Sequence, residues 1–394
     1  MTHTIPAPVR HFRHLDDAAR AELFLHEPEP FGDDDDRNLL AYALGATLYV
    51  PATRDDLAAT IVRRSREGVC SMVIDLEDAV ADADADAALT NVVHVLDELA
   101  ETEAAGLLLF VRVRSLDGIS SIASRLRAGV AALTGFVVPK FTAENGATYL
   151  RAIVEASRLV GKHLYVMPVL ESSTLVYRES RDTELAAIAA LLRAHRDHVL
   201  AVRIGATDMC GAFGIRRDRD LTIYDVRVVV DVIAHIVNHL GRADGSGFVI
   251  TGPVWEYFAD HERMFRPMLR MSPFAEQDAV RFRQHLVSRD IDGLLREIVL
   301  DRANGIHGKT VIHPTHVSAV HALAAVTHEE YHDARDIVDS STVGGVRRSE
   351  YGNKMNELKP HRAWAEQTLL RARVFGVTNK GVSFVDLLTA MVRQ

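Results

Sequence analysis

Residues 71–78 read SMVIDLED: an apolar run, Met72–Ile74, followed by Asp75, Glu77 and Asp78 within four positions. A short continuous apolar run suits a strand buried on both faces of a parallel sheet, and the acids suit its emergence into water. The pattern recurs along the chain. ATLYVPA starts at Ala46, LLLFVRVR at Leu107, GFVVPKF at Gly135 and HLYVMPVLE at His163. VLAVRIGATD follows at Val199, GFVITGPVWE at Gly247 and GKTVIHP at Gly308. Helical patterns separate these runs, as in TELAAIAALLRAH from Thr183. Eight strand-and-helix units predict an α/β protein, a (β/α)8 TIM barrel over residues 45–320. Residues 1–44 read as an N-terminal extension containing the turn-prone EPEPFGDDDD. Residues 321–394 read as a C-terminal helical extension with a Gly-rich break at Val343–Val346. A chain ending near Val343 is then expected to keep the barrel.

The composition narrows the class of function. With 54 acidic and 45 basic side chains, the net charge of -9 argues against nucleic acid or an anionic membrane as the main partner. Two cysteines, Cys70 and Cys210, give no disulfide framework. The N-terminus lacks the apolar region of a signal peptide, and no stretch nears the roughly 18 apolar residues of a membrane helix. A soluble cytoplasmic protein acting on a small molecule is the expectation.

In such a barrel the reacting groups stand at the C-terminal ends of the strands. The second strand ends in Asp75, Glu77 and Asp78, and the third carries Arg112 and Arg114. Lys140 ends the fourth, Glu171 the fifth, Asp208 the sixth and His313 the eighth. Any one of these is ordinary as a solvated strand end, but their recurrence at one end of separate strands points to a site. Glu171 and Asp208 lie at adjacent strand ends, and two such carboxylates suit Mg²⁺, which keeps other positions for water or substrate oxygens. No His or Cys pair has zinc spacing. Arg112 and a cation would relieve the repulsion among the acids of VIDLEDAV. The following ADADADAAL reads as a solvated first helical turn, where acids favour the helix dipole. Ala303–Thr310, ANGIHGKT, approaches a phosphate loop but lacks its first glycine and leads into a strand, which makes Lys309 structural or a rim contact. Asp244–Gly252 lacks the third glycine of a dinucleotide fingerprint.

Seven motifs in order, LYVPATR, VIDLEDAV, VRVRS, VVPKF, MPVLES, IGATDM and GKTVIHP, resemble the citrate lyase β-subunit and HpcH/HpaI aldolase superfamily over roughly residues 45–320. With SEYGNKMNELKPHRAW, the chain is most similar to the C–C bond lyase branch found with tellurium-resistance-type stress genes. The resemblance implies Mg²⁺ on Glu171 and Asp208. It implies a substrate oxygen on Arg112, catalytic support from Glu77 and Asp78, and further substrate contacts from Arg114 and Lys140. It also implies a small oxo-acid or its CoA thioester as substrate. A trimer or hexamer is implied too, in which the C-terminal segment serves as a lid or oligomerisation arm. The chain departs from the family pattern in three places. Asn353 of Gly352-Asn-Lys-Met355 stands where many relatives carry an acid/base aspartate, Arg114 replaces an asparagine, and the basic residues after LEDAV are missing. Glu350 and Glu357 are the nearby substitutes for the aspartate. The departures bear on CoA and leave the metal pair in place. Three readings stay open: a Mg²⁺-dependent lyase, a thioesterase or condensing enzyme on the same site, and a weakly catalytic metal- or ligand-binding subunit of a stress complex.

Overall fold

The computed structural model of the chain describes residues 7–258, 291–340 and 345–393. Eight parallel strands form one sheet: β1 Ala46–Pro51, β2 Ser71–Asp75, β3 Leu108–Arg112, β4 Gly135–Val138, β5 Tyr165–Leu170, β6 Val202–Ile204, β7 Ile250–Thr251 and β8 Lys309–Val311. Their order is β7-β6-β5-β4-β3-β2-β1-β8. A parallel bridge between Gly252 and Lys309 joins the two ends, so the sheet closes into the expected (β/α)8 barrel. At this seam the Gly252 N–H donates to the Gly308 carbonyl at 3.2 Å, and the Thr310 N–H donates to the Gly252 carbonyl at 3.1 Å. A side chain at 252 would come within 2.9 Å of both Asp301 Oδ2 and the Gly308 carbonyl. The seam therefore needs glycine there.

All five residues of β2 and all six of β5 are buried. Continuous apolar runs leave a strand no face for water, and a ring of helices supplies the second cover. Each strand is followed by a helix: Leu57–Arg66, Ala85–Leu99, Leu116–Arg125, Ala143–Val160, Arg178–Ala194, Arg227–Leu240, Ile291–Ala303 and Thr315–Ala324. Local signals set their ends. Thr142 and Asn145 form a capping box before Ala143–Val160, and Gly161 at φ 69° ends that helix. The acids of ADADADAAL form a short 3-10 turn, Asp82–Asp84, that leads into Ala85–Leu99. No helix among the described residues is long and apolar enough to cross a membrane.

Lys309 is wholly buried at the start of β8. Its Nζ donates to Glu297 Oε1 at 2.9 Å and to Asp301 Oδ2 at 2.7 Å. Arg217 Nη1 donates to Glu297 Oε2 at 2.5 Å, and the Tyr224 hydroxyl donates to Asp301 Oδ1 at 2.8 Å. Two cations and two carboxylates thus balance between the barrel wall and the helix Ile291–Ala303. GKT is a structural element, with no free amine to receive a phosphate.

The described parts of both extensions pack together at the N-terminal end of the barrel. Phe24–His26 pairs antiparallel with Val377–Thr378, and the helix Arg37–Ala43 lies against Arg362–Phe375. Asn379 Nδ2 donates to the Glu22 carbonyl at 2.8 Å. Phe12, Leu15, Phe375, Leu387 and Leu388 are buried in the same apolar core as the barrel residues Leu48 and Ile74. This packing argues against the expectation that a chain ending near Val343, itself outside the described residues, keeps the barrel. Losing one buried Leu or Phe side chain costs about 2–5 kcal/mol. Several at once exceed the net stability of a domain, about 5–15 kcal/mol. A chain ending at Ser340 should therefore be insoluble or lack cooperative unfolding by circular dichroism; a cooperative transition at the full-length midpoint would show the extension to be detachable.

Candidate active site

Asp75 is the last residue of β2 and Arg112 the last of β3, opposite each other in register. Arg112 grips Asp75 with both edges of its fork, Nε to Oδ1 at 2.6 Å and Nη2 to Oδ2 at 2.6 Å. Asp75 is fixed in turn by the backbone N–H groups of Glu77 at 3.0 Å and Ala79 at 3.3 Å. The third nitrogen, Nη1, lies 3.0 Å from Glu77 Oε2 and 3.1 Å from Asp78 Oδ2. One guanidinium therefore draws all three acids of VIDLEDAV together and offsets part of their mutual repulsion. Burial works against the charge on Arg112, but Asp75 outweighs it and holds the guanidinium above its ordinary pKa.

Lys140 follows β4 with a left-handed backbone, φ 48°. That turn, strained for a non-glycine residue, aims the Lys140 N–H at Glu171 Oε1, 2.8 Å away. The Lys140 side chain reaches back to Glu77 Oε1 at 2.5 Å. Glu171 follows β5 and is buried. It lies over Gly205, where a Cβ would come within 1.9 Å of Glu171 Oε2. Asp208 sits one turn further on, exposed on the short helix Ala206–Gly211, and Leu170 pairs with Ile204 between the two strands. Glu171 and Asp208 thus follow paired strands, and the charge of Asp208 acts on Glu171. Burial first, then the negative charges of Asp208 and Glu77, pushes the Glu171 carboxyl up to about 7.

Not every residue singled out by sequence joins the cluster. Arg114 turns aside to the Val80 carbonyl at 3.2 Å and to Asp82. His313 reaches Thr315 Oγ1 at 2.7 Å and stacks on Phe258 with centroids 4.6 Å apart. In the C-terminal segment, Asn353 Nδ2 donates to Glu329 Oε1 at 2.9 Å, and Lys354 Nζ lies 2.7 Å from both Glu329 and Asp333. Glu350 lies 3.5 Å from His332. These contacts hold the segment against its own helix His328–Val338. Sequence reasoning also passed over residues beneath the mouth. Arg203 of β6 is fully buried, with Nη2 donating to Thr310 Oγ1 at 2.5 Å. It shares the Tyr49 ring with Arg112: their Cζ atoms lie 5.5 and 5.3 Å from its centroid. Among the described residues no carboxylate pairs with Arg203, and burial lowers its pKa. The available signal was a lone arginine within the apolar run VLAVRIGA.

The donor set fits a small hard cation. Five carboxylates, Asp75, Glu77, Asp78, Glu171 and Asp208, share this rim, and among the described residues Arg112 and Lys140 are their cationic partners. Glu77 Oε2 is buried with no hydrogen bond beyond its ion pair to Arg112 Nη1. Among the described residues no three His, Cys, Asp or Glu side chains gather as a closed metal cage, which leaves a two-carboxylate arrangement of the kind Mg²⁺ accepts.

Comparison with known proteins agrees with this architecture. The sequence matches the family described as C–C bond lyase of the TIM-barrel fold over residues 38–377. The chain is similar in fold to a citrate lyase from Burkholderia xenovorans at 16% identity and a TM-score of 0.61, covering 88% of this chain and 96% of that one. It is similar to CitE from Mycobacterium tuberculosis, solved with magnesium, acetoacetate and coenzyme A, at 20% identity and a TM-score of 0.51, covering 84% and 99%. It is also similar to Haloferax volcanii malate synthase in its pyruvate/acetyl-CoA ternary complex, at 15% identity and a TM-score of 0.51, covering 82% and 89%. No curated protein matches the sequence.

Glu171 gives a stability test. Its folded value of about 7 lies above the ordinary 4.5, so the metal-free fold favours the protonated acid. The stabilisation is full below about pH 4.5 and is lost as pH rises through about 7, a change of about 3 kcal/mol. Relative to wild type, Glu171→Gln should gain that amount between about pH 4.5 and pH 8 in metal-free urea titrations. A gap that does not change with pH would mean the site already accommodates the charge.

Proposed function

The chain belongs to the C–C bond lyase family of the TIM-barrel fold, and from that premise we propose that it is a Mg²⁺-dependent carbon–carbon lyase acting on a small oxo-acid or its CoA thioester. The observation that carries the reading is the meeting of Glu171 and Asp208 across β5 and β6, beside an arginine already clamped by Asp75. Glu171 and Asp208 would hold the Mg²⁺. The ion would supply positive charge beside the carbonyl of the substrate, where an enolate develops as the bond breaks. Lys140 and Gly205 position Glu171, the first through its N–H and the second by leaving room. Asp75 orients Arg112, and Glu77 and Asp78 hold its Nη1 edge toward the mouth. The guanidinium offers its remaining N–H to a substrate oxygen, and charge set in place before reaction is usually the largest catalytic term. The proton donor and acceptor are not assigned to a side chain. The substrate class rests on the family and on the acetoacetate and coenzyme A in the Mycobacterium tuberculosis complex.

The C-terminal hairpin, Val346–Arg348 with Met355–Glu357, packs on its own chain's helix. As a lid it would cover a neighbouring subunit's mouth in a homo-oligomer. Asn353 favours a second reading, a ligand-binding subunit with little catalysis, because it replaces the aspartate that many relatives carry. Turnover that depends on Mg²⁺ separates the two.

Glu171→Gln and Asp208→Asn should each abolish Mg²⁺ binding in calorimetric titration while the fold persists. Unchanged affinity in both would overturn the metal assignment. Arg112→Lys should lower kcat/KM by about 100-fold or more, since an ammonium cannot keep the fork with Asp75 and reach substrate as well. Arg114→Lys should be much milder, because Arg114 is engaged by Asp82. Steady-state kinetics on a panel of oxo-acids and CoA thioesters decides this, and equal losses would place both arginines on substrate.

A further inference from the structure

A second polar cleft lies at the opposite, N-terminal end of the barrel. It encloses about 40 Å³ and opens to solvent, and its wall includes Tyr42, Arg302, His307, Leu323, Arg371 and Phe375. Arg371 is 7% exposed. Its Nη2 donates to Glu330 Oε2 at 3.1 Å, and its Nε is buried without an acceptor. Arg302 pairs with the other oxygen of the same carboxylate. Glu330 is further occupied by the Thr327 N–H at 3.2 Å. Two guanidiniums therefore share one carboxylate, which leaves one positive charge unmatched in a partly buried place. Asp301 also borders the cleft, but Lys309 and Tyr224 occupy its oxygens.

Two neutral polar groups join this charge. The Tyr42 side chain is nearly buried and packs against His307 at a tilt of 60°, with centroids 4.8 Å apart. Among the described residues neither the Tyr42 hydroxyl nor the His307 ring makes a hydrogen bond. The charge of Arg371 acts on both, and burial pushes the imidazole down to about 3, so it is neutral at pH 7. Buried polar groups without partners are rare and costly in folded proteins. Here the buried Arg371 Nε is such a group, and the Tyr42 hydroxyl and the half-buried His307 ring stand beside it, with Leu323 and Phe375 as apolar wall. A carboxylate satisfies such donors, and a guanidinium edge matches its two oxygens.

We propose that this cleft is a second ligand site, separate from the candidate active site, and that it takes a small organic monocarboxylate. The carboxylate binds Arg371 and the Tyr42 hydroxyl, and the apolar body lies against Leu323 and Phe375. The site does not depend on the lyase reading, since it shares no residue with the mouth.

Calorimetric titration of the full-length protein with butyrate tests the proposal. Butyrate should saturate a site below about 10 mM in wild type. Its affinity should be unchanged in Glu171→Gln and Asp208→Asn, which alter only the mouth. Arg371→Gln should weaken binding about tenfold or more through the lost charge-assisted pair. Tyr42→Phe should weaken it a few-fold without disturbing the wall. Leu323→Trp, which fills the cleft, should abolish binding and serves if Arg371→Gln does not fold. Inorganic phosphate should bind more weakly than butyrate, because it makes no use of the apolar wall. Absence of saturation in wild type overturns the proposal. So does binding that survives both Tyr42→Phe and Leu323→Trp, or that disappears with the mouth variants. Phosphate binding as tight as butyrate overturns the monocarboxylate assignment.

Discussion

The barrel depends on burying a lysine at its seam. β8 begins with Lys309, and the Gly252–Lys309 bridge is where the sheet closes. An ammonium cannot be left unpaired between sheet and helix, because the desolvation penalty amounts to several kcal/mol. Glu297 and Asp301, one helical turn apart on Ile291–Ala303, neutralise it. The helix can dock there only in the register that brings both carboxylates to Nζ, and Gly252 leaves room for Asp301. Breaking one partner of such a buried pair is strongly destabilising, whereas a well-packed apolar replacement of the set need not be. The network thus acts on register as much as on stability.

The mouth applies the same electrostatic logic with the signs reversed. At the seam, the charges of Lys309 and Arg217 balance those of Glu297 and Asp301. At the mouth, acids outnumber cations, and burial, with the charges of Asp208 and Glu77, holds the proton on Glu171 to about pH 7. Perturbed carboxyls of this kind gather at functional sites, because a surplus of charge that a rigid scaffold enforces is available to a ligand. Below the mouth, Arg203 supplies a buried positive charge whose partners among the described residues are hydroxyl, thioether and aromatic groups. The barrel interior therefore carries a polar column from Thr47 and Thr310 through Arg203 and Tyr49 to Arg112. It is not a uniform apolar plug. The two arginines flank one ring, and each gains from its π-face what solvent no longer provides.

The two extensions complete the barrel at its other end. The described N- and C-terminal segments pair through Phe24–His26 and Val377–Thr378, far apart in sequence. Together they cover the end of the barrel that the strands and their helices leave open. The basic cleft lies where this cover meets β8, with Arg371 from the extension and Arg302 from a barrel helix. Neither element alone provides its donor set.

The strands and helices of the barrel were legible in the sequence because each follows a local rule. Apolar runs of four to six residues, helical periodicity and caps act over one or two turns of chain, and all eight strands lie within the stretches quoted. The rim residues were legible for the same reason: the last residue of a buried strand is fixed once the strand is known. Glu171 directly follows β5, whereas Asp208, expected at the end of β6, stands on the short helix beyond it. Strand alternation placed Arg112 and Arg114 on one face, yet only the fold separated them, because β3 ends at Arg112 and the chain turns Arg114 toward Asp82. The Asp75 fork, the space above Gly205, the partners of Lys309 and the meeting of Arg302 with Arg371 were likewise invisible. Each joins groups tens to hundreds of residues apart, and local periodicity carries no information about which distant groups will meet. Sequence determined which residues face inward and which end each strand; tertiary structure alone decided which charges would share a partner, because that depends on how the ring of strands closes.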